Sequence, residues 1–201
     1  VLALWLSWMA VVQARNIGIN YLMSVLVLVW VADVFAYFAG RTFGLKFTKN
    51  KLAPSISPGK SWEGVWGGML GVIVLALVWS WADRHYGASV LSFYSVLQSR
   101  GLWFLLLAAV FMAAMSVVGD LVESLIKRSV GVKDSSGLLP GHGGVLDRID
   151  ALLPTLPLAM MLSSFVHPSN RKLRVWALPV LSEPTPWMWW RATLINTKFL
   201  P

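Results

Sequence analysis

Apolar and polar residues segregate along this chain into long blocks. Residues 1–12, 21–40, 65–82, 102–119 and 151–166 are apolar runs separated by short polar stretches. A helix needs about 20 apolar residues to cross the hydrocarbon core of a bilayer. The run 21–40 meets that length and carries one charge, Asp33; the runs 65–82 and 102–119 carry none. The run 1–12 is short and opens without methionine, so it reads as the remainder of a span begun earlier. The run 151–166 contains Pro154 and Pro157 and reads as a kinked or tilted last span, since neighbouring helices can satisfy the backbone groups that proline frees. The pattern predicts an all-α, polytopic helical integral membrane protein with about four to five transmembrane spans. It shows no basic leader before the first run, no internal repeat, no low-complexity tract and no soluble domain.

Composition agrees. Apolar residues make up 57% and charged residues 13% of the chain, against about a quarter charged in soluble domains. The 12 tryptophans suit bilayer interfaces. The absence of cysteine excludes disulfides and thiolate metal sites. A net charge of +8 would raise nucleic acid as a partner for a soluble protein. Here the cations sit in loops between apolar runs, which fits membrane topology and anionic headgroups and argues against nucleic acid.

The cations also orient the chain. The loop after the second run holds Arg41, Lys46, Lys49, Lys51 and Lys60, and the stretch 120–150 holds Lys127, Arg128, Lys133 and Arg148. The loop 83–100 has only Arg84 and Arg100. Positive loops stay in the cytoplasm, so the two rich loops are expected to share that side, with access to nucleoside triphosphates.

The stretch 120–150 is the chemically dense part. Carboxylates, cations and glycines alternate there at close range, next to runs fit for lipid. Charges so placed usually mark a working site. Aspartates suit magnesium, and lysine and arginine suit phosphate. Asp120, Ser124 and Lys127 share one face if the helix begun near residue 102 continues past Gly119. Asp147 and Asp150 share another face at the start of the last run. The intervening glycines permit close backbone approach, and Gly143-Gly144 is a candidate phosphate cradle. His142 contacts phosphate or braces the loop. Ser61, with Glu63 behind it, is placed to cap the helix opening near Gly64, beside a phosphate role for Lys60. For an isolated aspartate or lysine at a span end, solvation, capping or a topology signal is the commoner role. Three aspartates and four cations around one glycine-rich loop reverse that preference for Asp120 and Asp147. Asp33 is balanced between a supporting role in the site and a partner for an interfacial cation.

Ser124-Leu125-Ile126-Lys127-Arg128, Lys133-Asp134, Pro140-Gly141-His142-Gly143-Gly144 and Asp147-Arg148-Ile149-Asp150 together resemble the signature of the phosphatidate cytidylyltransferase (CDP-diacylglycerol synthase) family. Ser57-Pro58-Gly59-Lys60-Ser61 with Glu63-Gly64 resembles a second block of that family, and Trp30, Asp33, Ala36-Tyr37 and Gly40 a third. The resemblance runs from about residue 21 to about residue 165 and implies transfer of a cytidylyl group from CTP to phosphatidate. It implies Asp120, Asp147 and Asp150 as ligands of magnesium, with a second cation beside it. Asp120, Asp147, Asp150, Lys127 and Arg128 become the expected catalytic set. Ser57, Lys60, Ser61, Ser124, Lys133, Asp134, His142, Gly143, Gly144 and Arg148 become the expected substrate and nucleotide contacts. Asp134 is open between ligand, base and loop brace, and Arg148 between phosphate and a pair with Asp120 or Asp150.

The expected membrane is the bacterial inner membrane, with the site facing the cytoplasm. Residues 1–166 form the expected membrane-embedded domain, with further spans upstream, and residues 167–201 an atypical basic tail rich in proline and tryptophan. Either the last run does not cross, or this tail is foreign to the family. Gly64, Gly67, Gly68 and Gly71 predict close helix packing, for example in a homodimer. The rival readings are a cytidylyltransferase or kinase acting on another lipid such as a polyprenol, and an ion-coupled transporter. A transporter predicts charges near mid-span, whereas these cluster at span ends.

Overall fold

The computed structural model describes residues 1–48, 51–132, 135–136 and 144–166, with the backbone alone at Arg148. Every apolar run becomes a helix. These are α1 (Leu2–Ile17), α2 (Ile19–Phe43), α3 (Trp62–His85), α5 (Leu102–Ser129) and α7 (Leu152–Val166). Two short helices, α4 (Phe93–Gln98) and α6 (Leu146–Ile149), fill connections, and β1 (Lys51–Ala53) pairs antiparallel with β2 (Ser57–Ser61). The sequence pattern does not predict α4 or this hairpin, since neither has a periodic apolar face. Helices α2, α3 and α5 are long and apolar enough to cross a bilayer, with mean hydropathies of 2.2, 1.9 and 2.3. The protein is an all-α polytopic membrane protein with one small hairpin among its described residues.

The glycine stripe on α3 has its partner within the chain. Added Cβ atoms would lie 2.9 Å from Ala36 O at Gly64 and 2.9 Å from Ala32 O at Gly68, and would collide with Ala39 at Gly67 and with Phe35 at Gly71. Removing those side chains lets α3 lie directly on α2, as small residues do between helices in lipid. The expected homodimer therefore has no support from this stripe, which is already covered.

Proline in α7 is accommodated as expected. Pro157 lacks an N–H, which leaves the carbonyl of Leu153 without its donor four residues on. Ser7 Oγ of α1 lies 2.8 Å from Leu153 O and 2.8 Å from Ala3 O in its own helix, so its one proton serves both. Tyr21 of α2 ties to α7 a second time, through Ser163 Oγ at 2.5 Å. Its ring, with Leu28, Phe93, Leu105, Met112 and Met160, is in the buried core.

The two ends of the bundle differ. At one end, buried Asp83 accepts from Asn20 Nδ2 (2.9 Å), Ser92 N (3.0 Å), Ser92 Oγ (2.5 Å) and Ser95 Oγ (2.6 Å). That network welds α2, α3 and α4 together, and Arg100 donates to the final carbonyls of α7, Phe165 O and Val166 O. The hairpin, the C-terminal turns of α5 and the α6–α7 junction gather at the other end, where the site residues lie.

Candidate active site

The hairpin is fixed before it reaches the site. Ser61 Oγ accepts the Gly64 N–H at 3.2 Å and caps α3 as its sequence position predicts. Glu63 does a different job. Its Oε1 accepts from Phe47 N (3.2 Å), Thr48 N (2.7 Å) and Thr48 Oγ1 (2.7 Å), clamping the chain where it leaves α2. Lys60 stands one residue before this cap, and its Nζ meets Asp120 Oδ2 at 2.5 Å. Arg128 makes a long contact from α5 to the hairpin, Nε to Ile56 O at 3.5 Å. Ser57 stays in the hairpin ladder opposite Ala53.

Helix α5 does continue past Gly119, and its end organises two groups of charges. Asp120 and Lys127 are seven residues apart, about 10 Å along the helix axis. The inner group surrounds Asp120. A cavity of about 410 Å³ lies there between α2, the hairpin, α3 and α5, lined among others by Asp33, Tyr37, Arg41, Lys60, Ser61 and Asp120. Ser124 Oγ donates to Asp120 Oδ1 at 3.3 Å. Asp150 belongs to this group electrostatically. Burial pushes its carboxyl up to about 6; the negative Asp120 and Asp33 add to the rise, while the Ala151 N–H and Lys60 oppose it. The approach of Asp150 to α5 depends on Gly119, where an added Cβ would lie 2.8 Å from Pro154 Cγ and 3.0 Å from Asp150 O.

The outer group surrounds Lys127. Its Nζ lies 2.6 Å from Glu123 Oε2 and 2.8 Å from Asp147 Oδ1. Asp147 also accepts from Ser135 N (3.0 Å to Oδ2) and Gly144 N (2.7 Å to Oδ2). Lys127 first, and these amides with it, hold the Asp147 carboxyl well below the usual carboxylate range. The close approach at Gly144 is made by the protein itself, because an added Cβ would strike Ser135 Oγ. Its amide is aimed at Asp147, not at an open cradle.

The three aspartates expected to hold a metal are thus divided. Asp120 and Asp150 fall in the inner group and Asp147 in the outer one. Among the described residues no three acidic or histidine side chains converge tightly enough to hold a metal ion by themselves. Magnesium does not require such a cage, since it commonly takes one or two carboxylates, keeps waters and completes its shell with substrate phosphates. The mutual repulsion of Asp33, Asp120 and Asp150, which Lys60 partly offsets, fits an open cation site of that kind. Lys133, Asp134, His142 and Gly143, and the side chain of Arg148, lie outside the described residues. So does the tail, 167–201.

Two contributions escaped the sequence reading. Glu123 pairs with Lys127, and the i, i+4 spacing was the available signal. Tyr37 and Arg41 have the same spacing at the end of α2 and enter the cavity together.

Known proteins are similar to this chain in sequence over most of its length. A phosphatidate cytidylyltransferase from Haemophilus influenzae is 49% identical over 140 residues, covering 70% of this chain and 44% of the relative. One from Pseudomonas aeruginosa is 42% identical over 153 residues, covering 75% of this chain and 51% of the relative. One from Thermotoga maritima is 42% identical over 146 residues, covering 72% and 49%. The chain spans about half the length of these curated relatives. The family model described as "Cytidylyltransferase family" matches residues 1–166, the whole helical bundle with both charged groups, and the chain belongs to that family.

Proposed function

We propose that this protein transfers a cytidylyl group from CTP to phosphatidate, giving CDP-diacylglycerol and pyrophosphate for phospholipid synthesis. The observation that carries the reading is the end of α5, where cations and carboxylates pair across β2, α5 and α6 beside a cavity. The named relatives, all phosphatidate cytidylyltransferases, support the choice of substrates.

In the reaction a phosphate oxygen of phosphatidate forms a bond to the α-phosphorus of CTP. The bond from that phosphorus to the bridging oxygen breaks, and the electron pair leaves with pyrophosphate. Positioning and charge neutralisation dominate such a transfer. Phosphate monoesters have a second pKa of about 6, so the attacking oxygen is largely deprotonated at neutral pH and no dedicated base is needed. Lys60 and Lys127 hold phosphate oxygens after exchanging Asp120 and Asp147, respectively, for them. Glu123 keeps Lys127 in place, and Asp147 orders the segment around Gly144 and Ser135. Magnesium, held by Asp120 and Asp150 with Asp147 as a third candidate, would neutralise charge on the phosphates when bound. The site end faces the cytoplasm of a bacterial inner membrane. A homodimer would use a face other than the α3 glycines.

The decisive assay supplies purified protein with labelled CTP, magnesium and either phosphatidate or a polyprenyl phosphate. A lipid-soluble cytidine product only with phosphatidate is expected. Product with the polyprenyl lipid alone would move the protein to the rival lipid chemistry.

A further inference from the structure

The inner cavity contains a cation that so far serves only as a topology signal and that the reaction above does not use. Arg41 lies in the last turn of α2, and its Nη1 donates to Tyr37 Oη at 2.7 Å, one turn back. Both residues line the cavity with Lys60. The phenol acts as a stay. It fixes one edge of a planar group whose remaining N–H donors match the oxygens of phosphate. Exposed aromatic residues stand on the two helices that bound the cavity at this end: Tyr37 and Phe38 near the end of α2 and Trp62 and Trp66 at the start of α3 are 59%, 60%, 42% and 64% exposed. Such side chains settle at the headgroup level of a bilayer. Lys127, by contrast, stands about 10 Å further along α5 than Asp120, and neither it nor its partner Asp147 lines the cavity.

We propose that the cavity seats the phosphate of the lipid substrate, with Arg41, held by Tyr37, and Lys60 as its two grips. The ligand class is a phosphomonoester lipid whose acyl chains leave past the aromatic rim. The outer group around Lys127 is then left for the triphosphate. Asp33 and Asp120 line the same cavity and offset its two cations, and Asp150 adds a third carboxylate nearby. The headgroup therefore seats toward the Arg41 corner, away from Asp120. Calling the lipid phosphatidate rests on the proposed reaction; the phosphate seat itself does not.

The test measures binding of labelled phosphatidate and labelled CTP separately, to wild-type protein and to Arg41→Ala, Arg41→Lys and Tyr37→Phe in nanodiscs, with thermal unfolding as the control for fold. Arg41→Ala should weaken phosphatidate binding about ten- to a hundred-fold, as loss of a charge-assisted hydrogen bond does, and leave CTP affinity within about two-fold. Arg41→Lys should recover part of the loss. Tyr37→Phe should raise the phosphatidate KM by less than Arg41→Ala does, without lowering kcat. Weakened CTP binding with normal phosphatidate binding would give the cavity to the nucleotide and overturn the proposal. So would normal binding of both substrates by a folded Arg41→Ala protein. If the wild type binds phosphatidate in an Arg41-dependent way yet forms no CDP-diacylglycerol, the reaction is wrong and the phosphate seat stands.

Discussion

At the residue scale, the carboxylates of the site pull in opposite directions. Asp150 has its folded pKa raised to about 6 from an ordinary value near 3.8. Its ionised form is therefore disfavoured by folding. The penalty is fully present above about pH 6, falls away as pH drops toward 4, and disappears once both states are protonated. Asp150→Asn should accordingly raise thermal stability at pH 8 without divalent cations, while abolishing product formation. Lower stability of the variant at that pH would show that the carboxylate is not strained by its neighbours. The same pKa makes protons competitors of the cation, so half-saturation by magnesium should rise between pH 7 and pH 5.5 in a turnover titration. Asp147 has the opposite sign. Its pKa is depressed by Lys127, so its contribution to stability is present above the ordinary carboxylate pKa and lost as pH falls below it. Asp120→Asn should lower kcat by a factor on the order of 10²–10³, the scale for removing one electrostatic contact from a transition state, with the protein still inserted. Near-normal turnover in a folded variant would remove Asp120 from the chemistry.

At the element scale, close packing positions the site. The contacts of Gly68 and Gly67 with α2 leave no room for a side chain, so Gly68→Leu should separate α3 from α2 and destabilise the bundle by about 1–3 kcal/mol. Measured unfolding in detergent at the wild-type midpoint would instead mean that the helices can part at little cost. Ser7→Ala should be milder, about 1 kcal/mol, since it leaves only the Leu153 carbonyl without its donor. The helices were legible in the sequence because length and apolarity alone specify them in lipid. The α5 extension was legible because its polar residues keep helical spacing beyond the apolar run. The hairpin was not, since it is fixed by the Lys60–Asp120 pair and by the Glu63 clamp on the chain that leads into it, contacts that depend on the tertiary fold. The division of the aspartates was likewise invisible. Asp147 and Asp150 are three residues apart, but one turns to Lys127 and the other to the Asp120 group, a choice made by partners far away in sequence.

At the scale of the whole molecule, the bundle has a structural end and a chemical end. Asp83 and its serines close one; Lys60, Asp120, Lys127 and Asp147 occupy the other. The cation-rich loops meet at the chemical end, which is expected to be cytoplasmic. In this cysteine-free chain, cysteines placed at Lys51 and Gly87 should report the two sides: an impermeant thiol reagent added to intact cells should label position 87 and spare position 51. The reverse pattern would invert the protein in its membrane.

The bonds from Ser7 to Leu153 and from Tyr21 to Ser163 join α1 and α2 to α7, a helix made after both of them. Until α7 has been made, α1 and α2 present hydroxyls in the membrane without the carbonyl and hydroxyl that will receive them. The arrival of α7 is therefore also the moment at which the hydroxyls of α1 and α2 gain these partners. A nascent chain stalled before α7 should carry a mark that membrane proteases can read, whereas the finished bundle conceals it.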